Sequence, residues 1–328
     1  MIAITGANGL LGSFIIRKLI EAGKPFIALK RAGSDTALLS DVASHITWRD
    51  ADVTDAVSLQ DALQDCTQLI HAAAIVSFNP RRKKKIFEVN VDGTRHVVNA
   101  CLNHGIRRLV HISSVAALGR QKGQQHIDES SKWAESPLNS VYGESKYLAE
   151  LEVFRAQEEG LSTVIVNPSV ILAPADWNKS SAQLFKYIWQ ERAFYTQGFL
   201  SYVDVRDVAD AIVKLVDAPI QNERFIMNAG AIAYEDFFKQ IAQRMHRKPP
   251  YIKLSKKVLK IAATIEAARA WFANSEPLLT RETARLAGTH FLYDNRKISK
   301  ALNFEFQTID QSLQWCCEYY MAKFSPKN

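Results

Sequence analysis

The chain has 328 residues, of which 47% are hydrophobic and 23% are charged. This is the composition of an ordinary globular protein, and the length suffices for a large core or for two lobes. The formal net charge of +7 favours anionic ligands, although solvated surface lysines and arginines explain such an excess equally well. No recognisable nucleic-acid-binding module accompanies the charge, so nucleic acid is not an expected partner.

The four cysteines indicate neither a metal site nor a disulfide framework. Cys66, Cys101, Cys316 and Cys317 form no CxxC pair, and no cluster of Cys and His has the spacing of zinc ligands. Few, unpaired cysteines fit a reducing compartment, where they serve as small buried thiols. The N-terminus lacks a signal-peptide pattern, and no run of about 18 apolar residues occurs. We therefore predict a cytoplasmic protein with no membrane span and no bound metal.

Short apolar runs alternate with helical ones over the first two-thirds of the chain. In chain order, the predicted strands lie at residues 1–4, 25–30, 46–53, 68–74, 107–114 and 162–172, and the predicted helices at 10–23, 58–65, 89–105 and 142–160. This alternation predicts a parallel sheet built from βαβ units. The strands are almost entirely apolar, as expected when helices cover both faces of the sheet.

The pattern loosens after residue 173, and helices dominate beyond residue 231. We therefore expect an α/β protein with a Rossmann-type doubly wound parallel sheet and a smaller, mostly helical C-terminal substrate lobe. The predicted division assigns residues 1–173, rejoined by 201–228, to a dinucleotide-binding domain, and residues 174–200 and 229–328 to the lobe.

One predicted helix of the lobe, at residues 255–273, carries an apolar stripe. The stripe consists of positions 258, 261, 262, 265, 268 and 272. We expect it to pack on the main domain. Two alternatives stay open, namely that this basic amphipathic helix touches a membrane or that it covers a ligand cleft.

The stretch TGANGLLG follows the first strand directly and opens the first helix. Gly6 permits a tight turn, Gly9 lets the backbone approach a pyrophosphate, and Gly12 lets the helix pack closely on the strand. The helix N-terminus then offers free N–H groups to the phosphates. We predict that Gly6, Gly9 and Gly12, with Asn8, Leu10 and Leu11 between them, bind a dinucleotide.

The end of the second strand bears on which dinucleotide is bound. NAD sites usually carry an acid there for the ribose 2′-hydroxyl, whereas NADP sites carry an arginine. Here the strand ends in Lys30 and Arg31, whose charges suit a 2′-phosphate. NADP is therefore the favoured cofactor, while Asp35 farther along keeps NAD open.

Further residues at strand ends complete the expected cofactor site. Asp52 could accept a hydrogen bond from the adenine amino group, although a turn aspartate is the alternative and Asp55 fits helix capping better. Small side chains at the end of the fourth strand would let a flat cofactor lie against it. The remaining expected cofactor contacts are Val53, Ala72, Ala73, Ala74, Tyr142, Lys146, Pro168 and Val170.

Several stretches, in this order, resemble the extended branch of the short-chain dehydrogenase/reductase superfamily, of the NAD-dependent epimerase/dehydratase type. They are TGANGLLG, DVTD, HAAA, NVDGT, HISSVAALG, YGESK and NPSVILAP. The resemblance covers residues 1 to about 175, continues in YVDVRDVADAI and returns in the C-terminal tail. Within the branch, the chain is most similar to dihydroflavonol-reductase-like and 3β-hydroxysteroid-dehydrogenase-like proteins.

The resemblance implies catalytic roles for three residues. Tyr142 is then the proton donor or acceptor, Lys146 its helper one helical turn away, and Ser114 the hydroxyl that orients a carbonyl. An ammonium beside a phenol favours the phenolate and lowers the phenol pKa, and a hydroxyl beside a carbonyl oxygen stabilises charge that develops there. Ser113 is expected to be a neighbour, and Asn90 either takes part in the site or packs its helix.

We therefore predict an NAD(P)-dependent oxidoreductase that transfers a hydride between the nicotinamide and a carbonyl or secondary alcohol. A nucleotide-sugar epimerase with tightly bound NAD and a non-catalytic NADP-binding regulatory protein stay open as alternatives. Related dehydratases have Thr-Asp-Glu where this chain has Ser114-Val115-Ala116, which disfavours dehydration. Many epimerases have arginine where Asn167 precedes Pro168, which weakens the epimerase hypothesis.

The substrate itself is a small molecule that the sequence does not specify. Residues that select it are expected near 76–79, 118–126 and 174–200, beneath a lid at 232–285. Phe78 and Tyr202 could line the cleft or belong to the core. The basic run at 81–85 is expected in a solvated loop, and the resemblance suggests a homodimer through helices near 82–104 and 140–159.

Overall fold

The computed structural model describes residues 1–121, 123–273 and 291–324. Within these ranges the strands, in chain order, are β1 (Ile2–Thr5), β2 (Phe26–Lys30), β3 (Trp48–Asp50), β4 (Gln68–His71), β5 (Arg108–Ile112), β6 (His126–Ile127), β7 (Ser162–Pro168), β8 (Val170–Leu172), β9 (Phe194–Thr196), β10 (Phe199–Asp204), β11 (Glu223–Met227), β12 (Gly230–Ala233), β13 (Ile252–Leu254) and β14 (Leu292–Tyr293).

The α-helices in the same ranges are α1 (Leu10–Glu21), α2 (Ala56–Ala62), α3 (Lys83–Phe87), α4 (Gly93–Asn103), α5 (Val141–Glu158), α6 (Ala182–Trp189), α7 (Val205–Asp217), α8 (Tyr234–Arg244), α9 (Lys256–Ala273), α10 (Arg296–Leu302) and α11 (Ile309–Phe324). Tighter 3₁₀ turns cover Ala37–His45, Pro80–Arg82 and Val115–Leu118, and a π-helical turn at Glu88–Asp92 joins α3 to α4.

A seven-stranded sheet forms the centre of the molecule, in the order β11-β7-β5-β4-β1-β2-β3. Every neighbouring pair in it is parallel. Ala3 and Ile4 of β1 face opposite sides of the sheet, and both are fully buried. They can be, because α2, α4 and α5 cover one face while α1 and α7 cover the other. The predicted Rossmann-type doubly wound sheet is confirmed.

A second core lies towards the C-terminus. The sheet β12-β10-β8 and the helices α6, α8 and α11 enclose buried aromatic residues that include Phe185, Phe237 and Tyr320. However, β11 pairs with β7, and α7 packs on α1 beside the central sheet. The division into a dinucleotide-binding domain and a lobe stays a prediction, which these contacts support.

The single strand expected at residues 162–172 is wrong. β7 ends at Pro168 in the central sheet, whereas β8 begins at Val170 and pairs with β10 of the smaller sheet. Pro168 has no N–H with which to continue a ladder, and the N–H of Ser169 donates to the Met227 carbonyl at 2.9 Å. The chain therefore crosses at this point from the central sheet to the second core.

The helix expected at 89–105 begins earlier than the sequence suggested. The basic run at 81–85 lies in the 3₁₀ turn and α3, rather than in a loop, and all five of its side chains are exposed. Lys85 pairs with Glu88 at 2.6 Å, three residues along the same helix. A pair at this spacing adds a small stabilisation to the helical turn at the end of the basic run.

The stripe on α9 does not pack as expected. Leu259 and Ala263 are buried against β13, whereas Val258, Ile261 and Ile265 are 46%, 62% and 66% exposed. Packing on the main domain is therefore wrong for these three positions, because β13 contacts the neighbouring side of the helix. Stripe positions 268 and 272 lie outside the residues whose side chains are described.

The segment expected to form a lid is partly core. In α8, Phe237 and Ile241 are fully buried in the second core, so this part of residues 232–285 is fixed by packing. Residues 274–285 lie outside the described ranges. All four cysteines are free and buried, as expected for small core thiols. In the described ranges, no helix has both the length and the apolar character needed to cross a bilayer.

The second core generates a stability prediction. Phe237 is fully buried, with its ring 6.3 Å from that of Phe185, whereas Phe199 is 45% exposed. Phe237→Ala should lower the free energy of unfolding by about 3–5 kcal/mol, because it removes a large buried ring and leaves a cavity. The matched variant Phe199→Ala should change it by about 0.5 kcal/mol. Urea unfolding measures both, and equal losses would contradict the assignment of this core.

Candidate active site

The glycine turn between β1 and α1 forms a cradle from which side chains are excluded. Gly6 has a φ angle of +66°, and a Cβ built on it would lie 2.7 Å from the backbone nitrogen of Ala73. A Cβ on Gly12 would overlap the carbonyl oxygen of Gly6. Gly9 begins α1 without a side-chain cap, which leaves N–H groups of the first turn for a ligand. This cradle fits the pyrophosphate of a dinucleotide.

An open depression of about 610 Å³ lies at the carboxyl ends of β2 and β3. Arg31 and Asp52 are among the residues that line it. Asn8 of the glycine turn donates from Nδ2 to the Asp35 carbonyl at 2.9 Å, which ties the turn to the segment after β2. The depression therefore lies where the adenosine end of a dinucleotide would be expected.

The two cations expected at the end of β2 have different surroundings. Lys30 pairs with Asp50 of β3 at 2.7 Å, so its charge is already neutralised by a neighbour. Arg31 is exposed and lines the depression. Arg31 is therefore the more available of the two cations, and a cofactor contact of Lys30 stays a prediction. Asp35, which kept NAD open, accepts from the Ala37 N–H at 2.8 Å and is absent from the lining.

The two aspartates after β3 have separate roles. Asp55 caps α2 by accepting from the N–H groups of Val57 and Ser58, as the sequence suggested. Asp52 accepts from the N–H and the hydroxyl of Thr54 at 2.9 and 2.8 Å. Burial works to raise the pKa of the Asp52 carboxyl, but these bonds and the nearby charges of Arg31 and Lys85 outweigh it and lower the pKa. Asp52 is therefore an ionised acceptor.

The other expected cofactor contacts differ in how far their side chains are exposed. Ala72 and Ala73 are half-buried and Ala74 is exposed directly after β4, and Val170 is 37% exposed beyond β7. Pro168 is buried at the end of β7, and Leu10 and Leu11 are half-buried at the start of α1. Val53 differs, because its side chain is 7% exposed and packs against α4. Its side chain is core, so only its backbone is left to meet a cofactor.

The three expected catalytic side chains lie near the carboxyl end of β5. Ser140 caps α5, and Tyr142 lies half-buried in the first turn of that helix. The Ser114 hydroxyl is near enough to the Tyr142 phenol to lower its pKa. Lys146, one turn further on, is 1% exposed and donates from Nζ to the Ile112 carbonyl at 2.8 Å. The structure thus brings together the residues that the sequence analysis grouped.

A glycine inside α5 permits this arrangement. A Cβ on Gly143 would lie 2.8 Å from the Ala116 carbonyl oxygen, in the 3₁₀ turn that follows Ser114. Its missing side chain lets α5 approach that turn and brings Tyr142 within reach of Ser114. Gly143 was not among the residues predicted to take part in the site. The sequence feature that could have revealed its role is a glycine, a poor helix former, in the first turn of an otherwise regular predicted helix.

Burial governs the protonation of the pair on α5. It raises the pKa of the Tyr142 phenol to about 12, and the nearby Ser114 hydroxyl works in the opposite direction. It lowers the pKa of the Lys146 ammonium to about 8, which the charge of Glu150 works to raise. The expected lowering of the phenol pKa by Lys146 is therefore wrong for this arrangement, because desolvation is the larger effect. At neutral pH both groups hold their protons.

Behind Lys146, a buried carboxylate ties three elements together. Glu150 is fully buried, accepts from Asn167 Nδ2 at 2.6 Å and pairs with Arg224 of β11 at 3.0 Å. Asn167 of β7 also donates from Nδ2 to the Ser114 carbonyl at 2.9 Å. The position that weakened the epimerase hypothesis is therefore occupied by an inward-facing amide that supports the site.

The residues left undecided by the sequence can now be placed. Phe78 is 40% exposed, and its ring lies edge-on to that of Tyr142 with centroids 6.2 Å apart. Tyr202 is 7% exposed and belongs to the second core. Asn90 is buried and donates from Nδ2 to the hydroxyl of Ser145 on α5 at 3.0 Å. Phe78 therefore lies in the cleft, Tyr202 in the core, and Asn90 behind the site.

Comparisons with known proteins identify the family of the chain. The sequence model of the NAD dependent epimerase/dehydratase family matches residues 2–230. A Synechocystis sp. protein provisionally named dihydroflavonol 4-reductase is 34% identical over 208 residues, which span 63% of this chain and 60% of that protein. Sterol demethylase protein B of Methylococcus capsulatus is 27% identical over 290 residues, 86% of this chain and 87% of that protein. The crystal structure of gox2253 has 28% identity and a TM-score of 0.85, covering 100% of this chain and 99% of that one.

The chain belongs to the NAD dependent epimerase/dehydratase family, within the extended short-chain dehydrogenase/reductase enzymes. The predicted family and the prediction of an enzyme are confirmed.

The close packing at Gly143 generates the second prediction. Helix propensity alone predicts that Gly143→Ala stabilises α5 by about 0.5–1 kcal/mol. We expect a loss of about 1–3 kcal/mol instead, because the new Cβ meets a backbone carbonyl. Turnover should fall about 10- to 100-fold as Tyr142 moves away from Ser114. Glu144→Ala, at the next position of the helix, is the matched control, and a stabilised, fully active Gly143→Ala would refute the packing argument.

Proposed function

We propose that this chain is an NADP-dependent reductase of ketone or aldehyde groups, which in reverse oxidises secondary alcohols. The observation that carries the proposal is that the Ser114 hydroxyl acts on the Tyr142 phenol, while the buried ammonium of Lys146 lies one helical turn further along α5. Two adjacent hydroxyls can both hydrogen-bond one carbonyl oxygen, which stabilises the negative charge that develops there during reduction.

The residues of the glycine cradle suit the cofactor. The backbone of the turn from Gly6 to Gly12 would hold the pyrophosphate, and Arg31 in the depression would pair with a 2′-phosphate. When bound, the nicotinamide cofactor supplies or accepts the hydride. The preference for NADP over NAD rests on Arg31, because Lys30 is engaged by Asp50.

Each of the three polar side chains has a defined task. Tyr142, whose phenol is protonated at neutral pH, donates its proton to the substrate oxygen during reduction. Lys146, positively charged below about pH 8, stabilises the phenolate that this step leaves. Ser114 holds the carbonyl oxygen in place. A phenol that keeps its proton favours the direction of reduction.

The cleft beside Tyr142 supports an apolar, ring-bearing substrate. Phe78 presents a partly exposed aromatic ring next to the phenol. Rings of this kind stack on flat ligands. The names of the two curated relatives refer to a dihydroflavonol and a sterol, which are both ring compounds. A homodimer through α4 and α5 remains a further prediction of the family resemblance.

The nucleotide preference is tested by cofactor binding. Wild-type protein should bind NADPH more tightly than NADH in a fluorescence titration. Arg31→Ala should weaken NADPH binding about 10- to 100-fold, the range expected for a lost charge-assisted hydrogen bond, and leave NADH binding unchanged. Lys30→Ala is the matched control and should have a smaller effect. Equal affinities of the wild-type protein for the two nucleotides would refute the preference.

The acid role is tested by substitution and by pH. Tyr142→Phe should abolish NADPH oxidation with a panel of ketones and aldehydes while cofactor affinity stays within about twofold. Tyr147→Phe is the matched control, because that ring stacks on Trp133 at 4.7 Å on the same helix. The reduction rate should decline as pH rises through about 8, where Lys146 loses its proton and charge. A fully active Tyr142→Phe variant would exclude the proposed role.

A further inference from the structure

A line of buried polar side chains runs behind the cofactor turn towards the catalytic helix. Thr5 ends β1, and its hydroxyl lies 2.7 Å from Nδ1 of His71 at the end of β4. Nε2 of His71 lies 3.0 Å from the hydroxyl of Thr94 on α4. All three residues are at most 2% exposed. The line therefore crosses from the strand that carries the glycine turn to the helix that packs beside α5.

The direction of each hydrogen bond follows from the proton count. The Thr94 hydroxyl donates its single hydrogen to the Asn90 carbonyl at 2.6 Å, so it must accept from Nε2 of His71. Nδ1 of His71 is then an acceptor, and the Thr5 hydroxyl donates to it. The Thr5 oxygen in turn accepts from the Ala73 N–H at 3.3 Å. Only the neutral His71 tautomer with hydrogen on Nε2 satisfies every group.

The surroundings of His71 keep it neutral. Burial lowers the pKa of its ring to about 3, and the positive charge of Lys146 acts in the same direction. The facing ring of His111, 5.2 Å away, is also buried, and its pKa is likewise lowered by burial. His71 therefore acts through the geometry of its two nitrogens and does not exchange a proton in the physiological range.

The line continues from Asn90 to the catalytic tyrosine. Asn90 accepts from the Ile75 N–H at 2.8 Å and donates to the Ile75 carbonyl and to the Ser145 hydroxyl, both at 3.0 Å. The Ser145 hydroxyl donates to the Tyr142 carbonyl at 2.7 Å. An unbroken series of polar contacts thus joins the backbone beside Gly6 to the first turn of α5.

We propose that His71 is a positioning residue. Through this line of hydrogen bonds it fixes the glycine turn between β1 and α1 and the start of α5, which carries Tyr142, in position relative to each other. Its Nδ1 side holds Thr5 and, through it, the Ala73 backbone against Gly6. Its Nε2 side holds Thr94 and, through Asn90 and Ser145, the turn that carries Tyr142. The part of this inference that concerns turnover through Tyr142 rests on the proposed function. The part that concerns cofactor binding through Thr5 depends only on dinucleotide binding.

The two sides of His71 can be tested separately. In His71→Asn, the amide oxygen can replace Nδ1 and keep the bond from Thr5. In His71→Gln, the longer amide can replace Nε2–H and keep the bond to Thr94. We expect His71→Asn to bind NADPH within about threefold of wild type with turnover about tenfold lower. We expect the reverse for His71→Gln, with NADPH affinity about tenfold lower and turnover at saturating NADPH within about threefold.

If a histidine variant fails to fold, replacing each threonine by valine, which has nearly the same shape but no hydroxyl, still decides the question. Thr5→Val should reproduce the pattern of His71→Gln, and Thr94→Val that of His71→Asn. Thr163→Val is the matched control, because Thr163 is a fully buried strand residue whose hydroxyl accepts from Gln157 outside this line. The same loss of affinity and turnover in Thr5→Val and Thr94→Val would overturn the proposal, because it would show only a structural contribution to the core.

A spectroscopic measurement needs no substrate. Long-range ¹H–¹⁵N spectra of histidine-labelled protein, assigned with His71→Gln, should show a neutral Nε2–H ring for His71 from pH 5 to 8. A protonated ring or an Nδ1–H tautomer would overturn the proposed direction of the bonds. If no carbonyl is reduced by the wild-type protein, the proposed function fails, while the tautomer and the NADPH affinity of Thr5→Val still decide this inference.

Discussion

The buried ammonium of Lys146 is the constraint on which the site depends. A charge taken out of water must be hydrogen-bonded and balanced, or the group loses it. Here the Ile112 carbonyl at the end of β5 accepts the hydrogen bond, and Glu150, one turn along the same helix, supplies negative charge. Glu150 is held in turn by Arg224 and Asn167 from two further strands. The hydrogen bond and the balancing charge that Lys146 requires therefore hold α5 against β5, β7 and β11. This contact determines where Tyr142 lies.

Close backbone packing at two glycines brings the glycine turn and the start of α5, where the proposed catalytic Tyr142 lies, to the same edge of the sheet. Gly12 lets α1 begin directly against the turn, and Gly143 lets α5 approach the turn after Ser114. Parallel strands end at one edge, so residues after β1, β4, β5 and β7 converge there regardless of their distance in sequence. The buried line through His71 joins the strand before the glycine turn to the first turn of α5 by polar contacts. The chemistry therefore sits on rigid elements, as a site that must align two reacting atoms requires.

Much of this architecture could be predicted from the sequence, because its signals are local. The glycine turn, the alternation of strands and helices, and the spacing of Tyr142 and Lys146 each lie within a few residues. Contacts between distant segments were missed, since no local pattern shows that Lys30 meets Asp50 or that His71 joins two threonines. Periodicity likewise identified α9 as amphipathic but could not tell which side β13 would cover. Burial also reversed the expected shift of the Tyr142 pKa, because desolvation depends on the whole surrounding fold.

The central claim is that these residues carry out net hydride transfer to a carbonyl. The most direct measurement uses NADPH deuterated at C4 of the nicotinamide, prepared separately on each face, with a ketone or aldehyde that the enzyme turns over. We expect one of the two preparations to transfer one deuterium to each alcohol formed, with one NADPH consumed, as read by mass spectrometry. Interconversion of a UDP-sugar without net consumption of NADPH and without label in the product would contradict it and would favour an epimerase.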